Sequence, residues 1–599
     1  MKASRRVPLT PLPVSAAARG AVALALPLLA GVASGHVVPA VLAAIGALWG
    51  VSQDGEDPYR LRVRRLACTG AAAALGLLAG ELALRSGRPG AVTVCLVAVA
   101  LLAGAVSLRG PLASVAGLHL LLGATVGGGI PVPGPWWQAP LALLTGVGLV
   151  AVLSTAPWLW RRHAIERAAV RAVYGAAAEA LEAAGSPGAE AARRRLTSAL
   201  DDAHRVMGRH LTGRVRPGTE LSALRTAFDT ALRLGEVTSA LVWEGRPLPH
   251  WAVQVPQATA ARLLPPAGRT APRAPGSAPV PAPGPDAVPA PVTAPACGGD
   301  GGPDSPGLRA LAGLCAQTEP PARAEGTAAR LPAQPWHGRA AQVRYAVLLT
   351  ACVLVAQLCA GLLHGPRGYW LPMTVAFVYK PDFGPVLRRA LHRCAGTVAG
   401  VAAIGAVTLL TSDTYVLIGA VAAFGALMAV GVRHHYALAT TALTAVVLVL
   451  VDLLGDHRAL YSARILDTAL AAAVVLVAHF ALWPDSARGR ALARTEAALA
   501  AARRYADLAP GAAPAQRHAL RRGAYHRLAE ARRALAHARL EPGRPGRGPA
   551  APAGLPGLED AVTEAERLCD AVSARSLGSA TAASALRAPR CTVAGAMGG

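Results

Sequence analysis

Two long apolar blocks, residues 20–160 and 343–483, constrain this chain more than any other feature. The hydrocarbon core of a bilayer takes about 20 apolar residues per helix. Each block is several times that length and is cut by turn and charge signals into about six pieces. The first divides near 17–35, 37–51, 66–84, 91–108, 111–130 and 138–160. The second divides near 343–363, 365–379, 395–411, 414–432, 435–453 and 464–483. Lipid cannot satisfy irregular backbone, so the pattern predicts an all-α polytopic membrane protein. Arg5, Arg6 and the apolar run from Gly20 to Ser34 look like a secretory signal peptide. Further spans follow at once, which favours a retained first helix.

The rest of the chain changes character. Residues 162–253 read as Ala-rich helices with charges on one side, a cytoplasmic helical domain. Residues 254–335 are rich in Pro, Ala and Gly, lack the apolar surface needed to fold, and predict a disordered linker. Residues 486–599 read as a helical, Arg-rich tail with a Pro/Gly break around 542–557. The expected plan is a transmembrane block at 1–161, the helical domain at 162–253, the linker at 254–335, a second transmembrane block at 336–485 and the tail at 486–599.

A net charge of +25 invites a nucleic-acid reading. The positions of the charges argue against it. Arg5, Arg6 and Arg19 precede the first helix, Arg60, Arg62, Arg64 and Arg65 follow the second, and Arg161 and Arg162 follow the sixth. Arg388, Arg389, Arg393, Arg433, Arg488 and Arg490 repeat the arrangement in the second block. Positive loops stay in the cytoplasm, so both termini and the central region are placed inside, in a plasma membrane. Arg85 and Arg88 run against that bias. The nine cysteines include no CxxC pair, and Cys352 and Cys359 read as packing residues, which leaves no metal site. No Walker A, HExxH or Ser-His-Asp pattern stands out, so neither an enzyme nor a cofactor is expected. The expected partner is the lipid bilayer, with a homo-oligomer left open and nucleic acid excluded.

The loop after the second helix recurs. DGEDPYRLRVRRLACT in the first block aligns without gaps with DFGPVLRRALHRCAGT in the second. Asp54, Arg60, Arg65 and Thr69 fall in register with Asp382, Arg388, Arg393 and Thr397. With equal helix counts and sidedness, this predicts two parallel six-helix repeats. GYWLPMTVAFVYKPDFGPVLRRALHRCAGTVAG (368–400), RHHYAL (433–438) and ARILDTALAAAVVLVAHFALWPD (463–485) resemble the fusaric-acid-resistance-like family of integral membrane transporters. The first block resembles that family's degenerate N-terminal half, because it lacks the YW-x-P-x-T and PDFG pieces. The resemblance implies a layout of six helices, cytoplasmic region, six helices and tail. It also implies export of aromatic carboxylic acids or related organic anions.

Candidate site residues follow from position. Val37–Val51 and Gly365–Tyr379 are short for spans, and each carries a Pro near its outer end, Pro39 and Pro372. Short, Pro-interrupted helices in corresponding places of two repeats point to a transporter's site. The two prolines do not align in the loop register. Lys380 offers an ammonium, Asp382 a cap for the next helix, and Arg389 and Arg393 a pair of guanidiniums on one face. Topogenic charge explains these basic residues too. Trp370, with Tyr369, Phe377 and Thr374, offers stacking and polar contact for an aromatic ligand, against aromatic-belt anchoring. Arg464 and Asp467, one turn apart, read either as an ion pair or as a proton-coupling acid with its partner. His479 reads as a packed neutral side chain or a proton relay. An organic-anion channel, or a scaffold or sensor acting through the helical regions, remains an alternative to a proton-coupled exporter.

Overall fold

The computed structural model describes residues 14–55, 57–107, 109–159, 162–212, 219–264, 305–316, 339–363, 367–380, 385–455, 460–483, 486–541 and 554–576. Every regular element among them is helical. In chain order they are α1 (Val14–Ser34), α2 (Val37–Gln53), α3 (Tyr59–Arg85), α4 (Ala91–Ser107), α5 (Pro111–Gly129) and α6 (Gln138–Thr155). Then come α7 (Ala164–Glu182), α8 (Ala189–Thr212), α9 (Glu220–Glu244), α10 (His250–Leu263) and α11 (Pro306–Ala316). The second block holds α12 (Arg339–Leu363), α13 (Trp370–Val378), α14 (Val386–Leu410), α15 (Thr414–His434), α16 (Tyr436–Asp452) and α17 (Leu460–Leu482). The tail adds α18 (Ser486–Leu508), α19 (Pro514–Arg539) and α20 (Gly554–Ser576). The chain divides into two compact units. One comprises Met1–Trp160, Gln334–Ala487 and Leu540–Arg544; the other comprises Arg161–Ala333, Arg488–Arg539 and Pro545–Gly599.

The first unit is the apolar one. Eight of its helices are long and apolar enough to cross a membrane; α2, α4 and α16 are shorter apolar helices. With α13, each block contributes six. Their packing is reciprocal. Within a block the third helix packs on the fifth and sixth, and the second on the sixth: α3 on α5 and α6, α14 on α16 and α17, α2 on α6, α13 on α17. Between blocks α1 packs on α15 as α12 packs on α4, and α2 meets α16 as α13 meets α5. Each of these contacts has its mate on exchanging blocks, which is the signature of a pseudo-twofold repeat. Both third helices use a small-xxx-small seam, Gly76/Gly80 and Gly396/Gly400. A Cβ at Gly76 would fall on the Leu120 carbonyl, and one at Gly396 on the Ala437 carbonyl. Lipid chains are as apolar as Leu, so this backbone approach, rather than exclusion from water, holds the pairs.

The segment 365–379 is not a fifteen-residue helix. Helix α13 has nine residues and rises only ~13 Å. Its start at Trp370 makes Pro372 the third residue, and Pro39 is the third residue of α2. In the first turn a missing N–H removes no intrahelical bond. The prolines are therefore equivalent when counted from the helix start, though not from the following loop, because α2 is eight residues longer at its other end.

The second unit is a polar helical bundle. On α7 the buried residues Val170, Val173, Tyr174, Ala177 and Leu181 recur at helical spacing. They meet Leu196, Phe228 and Leu234 from α8 and α9. Thr219 caps α9, and Gly245 at φ 69° ends it. The segment read as a disordered linker contributes two helices: α10 runs into it, and α11 buries Leu311 in this core. Residues 265–304 and 317–338 lie outside the described residues. The tail helices belong to the same unit as α7–α11, so one body is built from segments on either side of the second block. Arg193 joins Glu566 at 2.9 Å and Asp570 at 3.1 Å, and Arg521 donates to Ser239 at 2.7 Å. Glu236 meets His518 at 2.9 Å and Arg517 at 3.2 Å. Burial opposes its ionisation, but His518 and the arginines hold it at about 2.

His526 lies 2.6 Å from Asp201 and 3.6 Å from Glu530. Hydrogen bonding to these carboxylates raises its pKa from 6.5 to about 9. A raised histidine stabilises the fold fully below its unfolded value and stops doing so as pH rises through its folded value. Melting of the purified protein should therefore fall between pH 6.5 and 9, and His526→Ala should flatten that part of the profile.

Candidate functional site

The reciprocal contacts α2–α16 and α5–α13 border a cleft. Its walls are apolar: Ile45 and Leu48 of α2, Val126 of α5, and Val447 and Leu450 of α16. One face of α13 completes it with Trp370, Met373 and Phe377, at positions i, i+3 and i+7. In a chain only 4% aromatic, four aromatic side chains line this cleft: Trp49, Tyr369, Trp370 and Phe377.

Among the lining residues Arg464 alone is charged. It is 0% exposed, and its guanidinium carbon lies 5.1 Å from the centre of the Trp370 ring. None of its three guanidinium nitrogens has a hydrogen-bond partner among the described residues. A cation over an indole face recovers part of the desolvation cost, ~2 kcal/mol at best in a dry site. The cost itself is several kcal/mol. The expected bridge between Arg464 and Asp467 does not form; Asp467 is half-buried, stands outside the cleft, and its Oδ2 has no hydrogen-bond partner. Stacking on Trp370, contributed by another helix, draws the guanidinium away from its own helix neighbour.

A second buried arginine stands at the other end of α13. Arg393 is 1% exposed and lies 4.6 Å from the centre of the Phe377 ring; its Nε and Nη2 have no hydrogen-bond partner. Arg389 is placed differently. Its Nη1 donates to the carbonyls of Val378 at 3.1 Å and Lys380 at 3.3 Å, so it caps the C-terminus of α13. Arg389 and Arg393 thus do not form one fork. Thr374 is fully buried, with an Oγ1 that has no hydrogen-bond partner, and is not among the lining residues. Lys380 follows α13 and is half-buried. Asp382 lies outside the described residues. Tyr379 places its ring 5.9 Å from that of the buried His479.

The first block closes the matching end with ion pairs. Asp54 takes Arg19 at 2.7 Å and Arg62 at 3.5 Å, and Arg62 also donates to the Ser154 carbonyl at 3.0 Å. Arg65, the loop-register counterpart of Arg393, is more exposed and pairs with Asp57 at 2.5 Å. Three contributors are absent from the candidates read in the sequence: Trp49, His119 edge-on to it at 6.0 Å, and the paired GxxxG seams. The seams were visible as a spacing; the others carry no local signal.

A unit of twelve tightly packed apolar helices in two equivalent blocks defines a polytopic membrane protein. Residues 350–478 match the fusaric acid resistance protein-like family. Similar sequences include the "Uncharacterized membrane protein YvaC" of Bacillus subtilis, 32% identical over 145 residues, 24% of this chain and 22% of that protein. The "Inner membrane protein YccS" of Escherichia coli is 30% identical over 148 residues, 24% of this chain and 19% of that protein. An "Uncharacterized protein" of Haemophilus influenzae is 30% identical over 143 residues, 24% of this chain and 20% of that protein. The chain thus matches about a fifth of the length of these three relatives. That family match lies wholly within the second block. No solved structure matches the chain.

Arg389→Ala should remove a charged cap from α13 and cost about 1.5–3 kcal/mol of stability. The check is a thermal melt of the detergent-purified protein, with ligand affinity unchanged; a large affinity loss at unchanged melting would return Arg389 to recognition.

Proposed function

We propose that this protein is a secondary transporter that exports aromatic carboxylates or related organic anions across the plasma membrane. The observation that supports it is Arg464. A fully buried guanidinium with no hydrogen-bonded acceptor, set over Trp370 in an apolar cleft, offers a carboxylate a bidentate seat. Trp49, Trp370 and Phe377 offer an aromatic ring its walls. The cleft lies between corresponding helices of the two blocks, where rocking of one block against the other would open it alternately to each side. The positive-inside bias supports cytoplasmic termini and a cytoplasmic polar unit.

Arg464→Met should weaken benzoate binding by roughly 30-fold or more, the equivalent of losing ~2 kcal/mol of a buried charge-assisted contact. Trp370→Ala should weaken it less. Isothermal titration of the detergent-solubilised protein reads both, and unchanged affinity in Arg464→Met sinks the reading. Arg464→Lys should recover only part of the loss, since an ammonium lacks the planar fork.

Coupling to protons is assigned to Asp467. It is half-buried within α17, one turn after Arg464, and ionisable groups inside such helices mark coupling sites. Asp467→Asn should remove the dependence of benzoate export on external pH while leaving binding intact. Export by the variant that tracks pH as the wild type does would exclude Asp467 from coupling.

A further inference from the structure

Glu541 follows α19 by two residues, yet it belongs to the transmembrane unit. Its Oε1 accepts the Val386 amide at 2.7 Å. Val386 is the first residue of α14, and its N–H is one of those a helix start leaves without an intrahelical partner. Its Oε2 lies 3.7 Å from His479 Nε2 of α17, and both side chains are 5% exposed. The cluster reaches α13 through Tyr379. The Tyr345 ring stacks on that of Tyr379 at 5.3 Å, and the Tyr345 hydroxyl donates to its carbonyl at 2.7 Å. Phe377, the end of the cleft, is two residues away.

A carboxylate is therefore already seated beside the candidate pathway. Its contacts favour an anion: the N-terminus of α14 and the His479 imidazole. The first block meets its own need with Asp54, which takes Arg19 and Arg62 from the same block. In the second block the carboxylate on α14 comes from the far tail of the chain. The functional group is the one the cleft is read as carrying.

We propose that the N-terminus of α14 with His479 is a carboxylate station at the Phe377 end of the pathway, and that Glu541 occupies it as an internal blocker. A substrate carboxylate passes when Glu541 leaves. This rests on the reading of the cleft as a carboxylate path. A mere tether would behave otherwise: Glu541→Gln keeps the shape and the acceptor for the Val386 amide, so a tether would tolerate it without a change in flux.

The test uses the full chain in proteoliposomes, with wild type, Glu541→Gln and Glu541→Ala. Two quantities are followed: the initial rate of benzoate flux, and carbethoxylation of His479 by diethylpyrocarbonate, resolved by mass spectrometry. The blocker requires both to rise in Glu541→Gln, flux by about fivefold or more, the scale of a helix-terminal charge contact. A rise in His479 modification without a rise in flux overturns the blocker, and so does no change in either. If wild type carries no benzoate, flux gained in Glu541→Gln supports the proposal and its absence there overturns it. Failure of the aromatic-carboxylate reading is read separately, from unchanged benzoate affinity in Arg464→Met.

Discussion

A nine-residue helix inside a membrane-spanning unit leaves unbonded backbone amides and carbonyls where lipid supplies no partner. Much of the surrounding structure answers that constraint at α13. Arg389 takes the carbonyls at one end, and Tyr345 holds the carbonyl of Tyr379 just beyond. At the start of the helix Pro372 removes one amide from the problem. The same shortness brings both ends of α13 into the protein interior, where Trp370 and Phe377 each face a buried arginine. The cleft, its aromatic wall and its flanking cations thus depend on one truncated helix.

The two blocks share a packing plan but differ in charge. In the first, Asp54 hydrogen-bonds Arg19 and lies 3.5 Å from Arg62, and no arginine of that block lines the cleft. In the second, no carboxylate among the described residues bridges Arg393 or Arg464. Symmetry sets the location of the cleft, and departure from symmetry sets its polarity. Apolar walls come from both blocks, and the one charge in the lining, Arg464, comes from the second.

The sequence exposed the block division, the helix count and the all-α class, because apolar length and positive loops are summed over many residues. It did not expose the length of α13, because the turn-forming stretch Gly365, Pro366, Arg367 and Gly368 is counted into the apolar segment. Arg464, Trp370 and Arg393 were visible as candidates, but their partners were not. A spacing of three on one helix suggests an Arg464–Asp467 bridge, and only the fold brings Trp370 across to compete for the guanidinium. Helix α11 was hidden by its Pro- and Gly-rich flanks. Glu541 carries no local signal, standing beside a Pro/Gly-rich break and meaningful only where it docks.

The polar unit is assembled from residues on both sides of the second block. On a ribosome, α7 to α11 emerge well before α18 to α20, with six helices made and inserted in between. Until then Arg193 has neither Glu566 nor Asp570, and Glu236 has neither Arg517 nor His518. Completion of this unit therefore reports that the second block has already been synthesised, so a chain stopped short is marked by unmatched charge in its polar part.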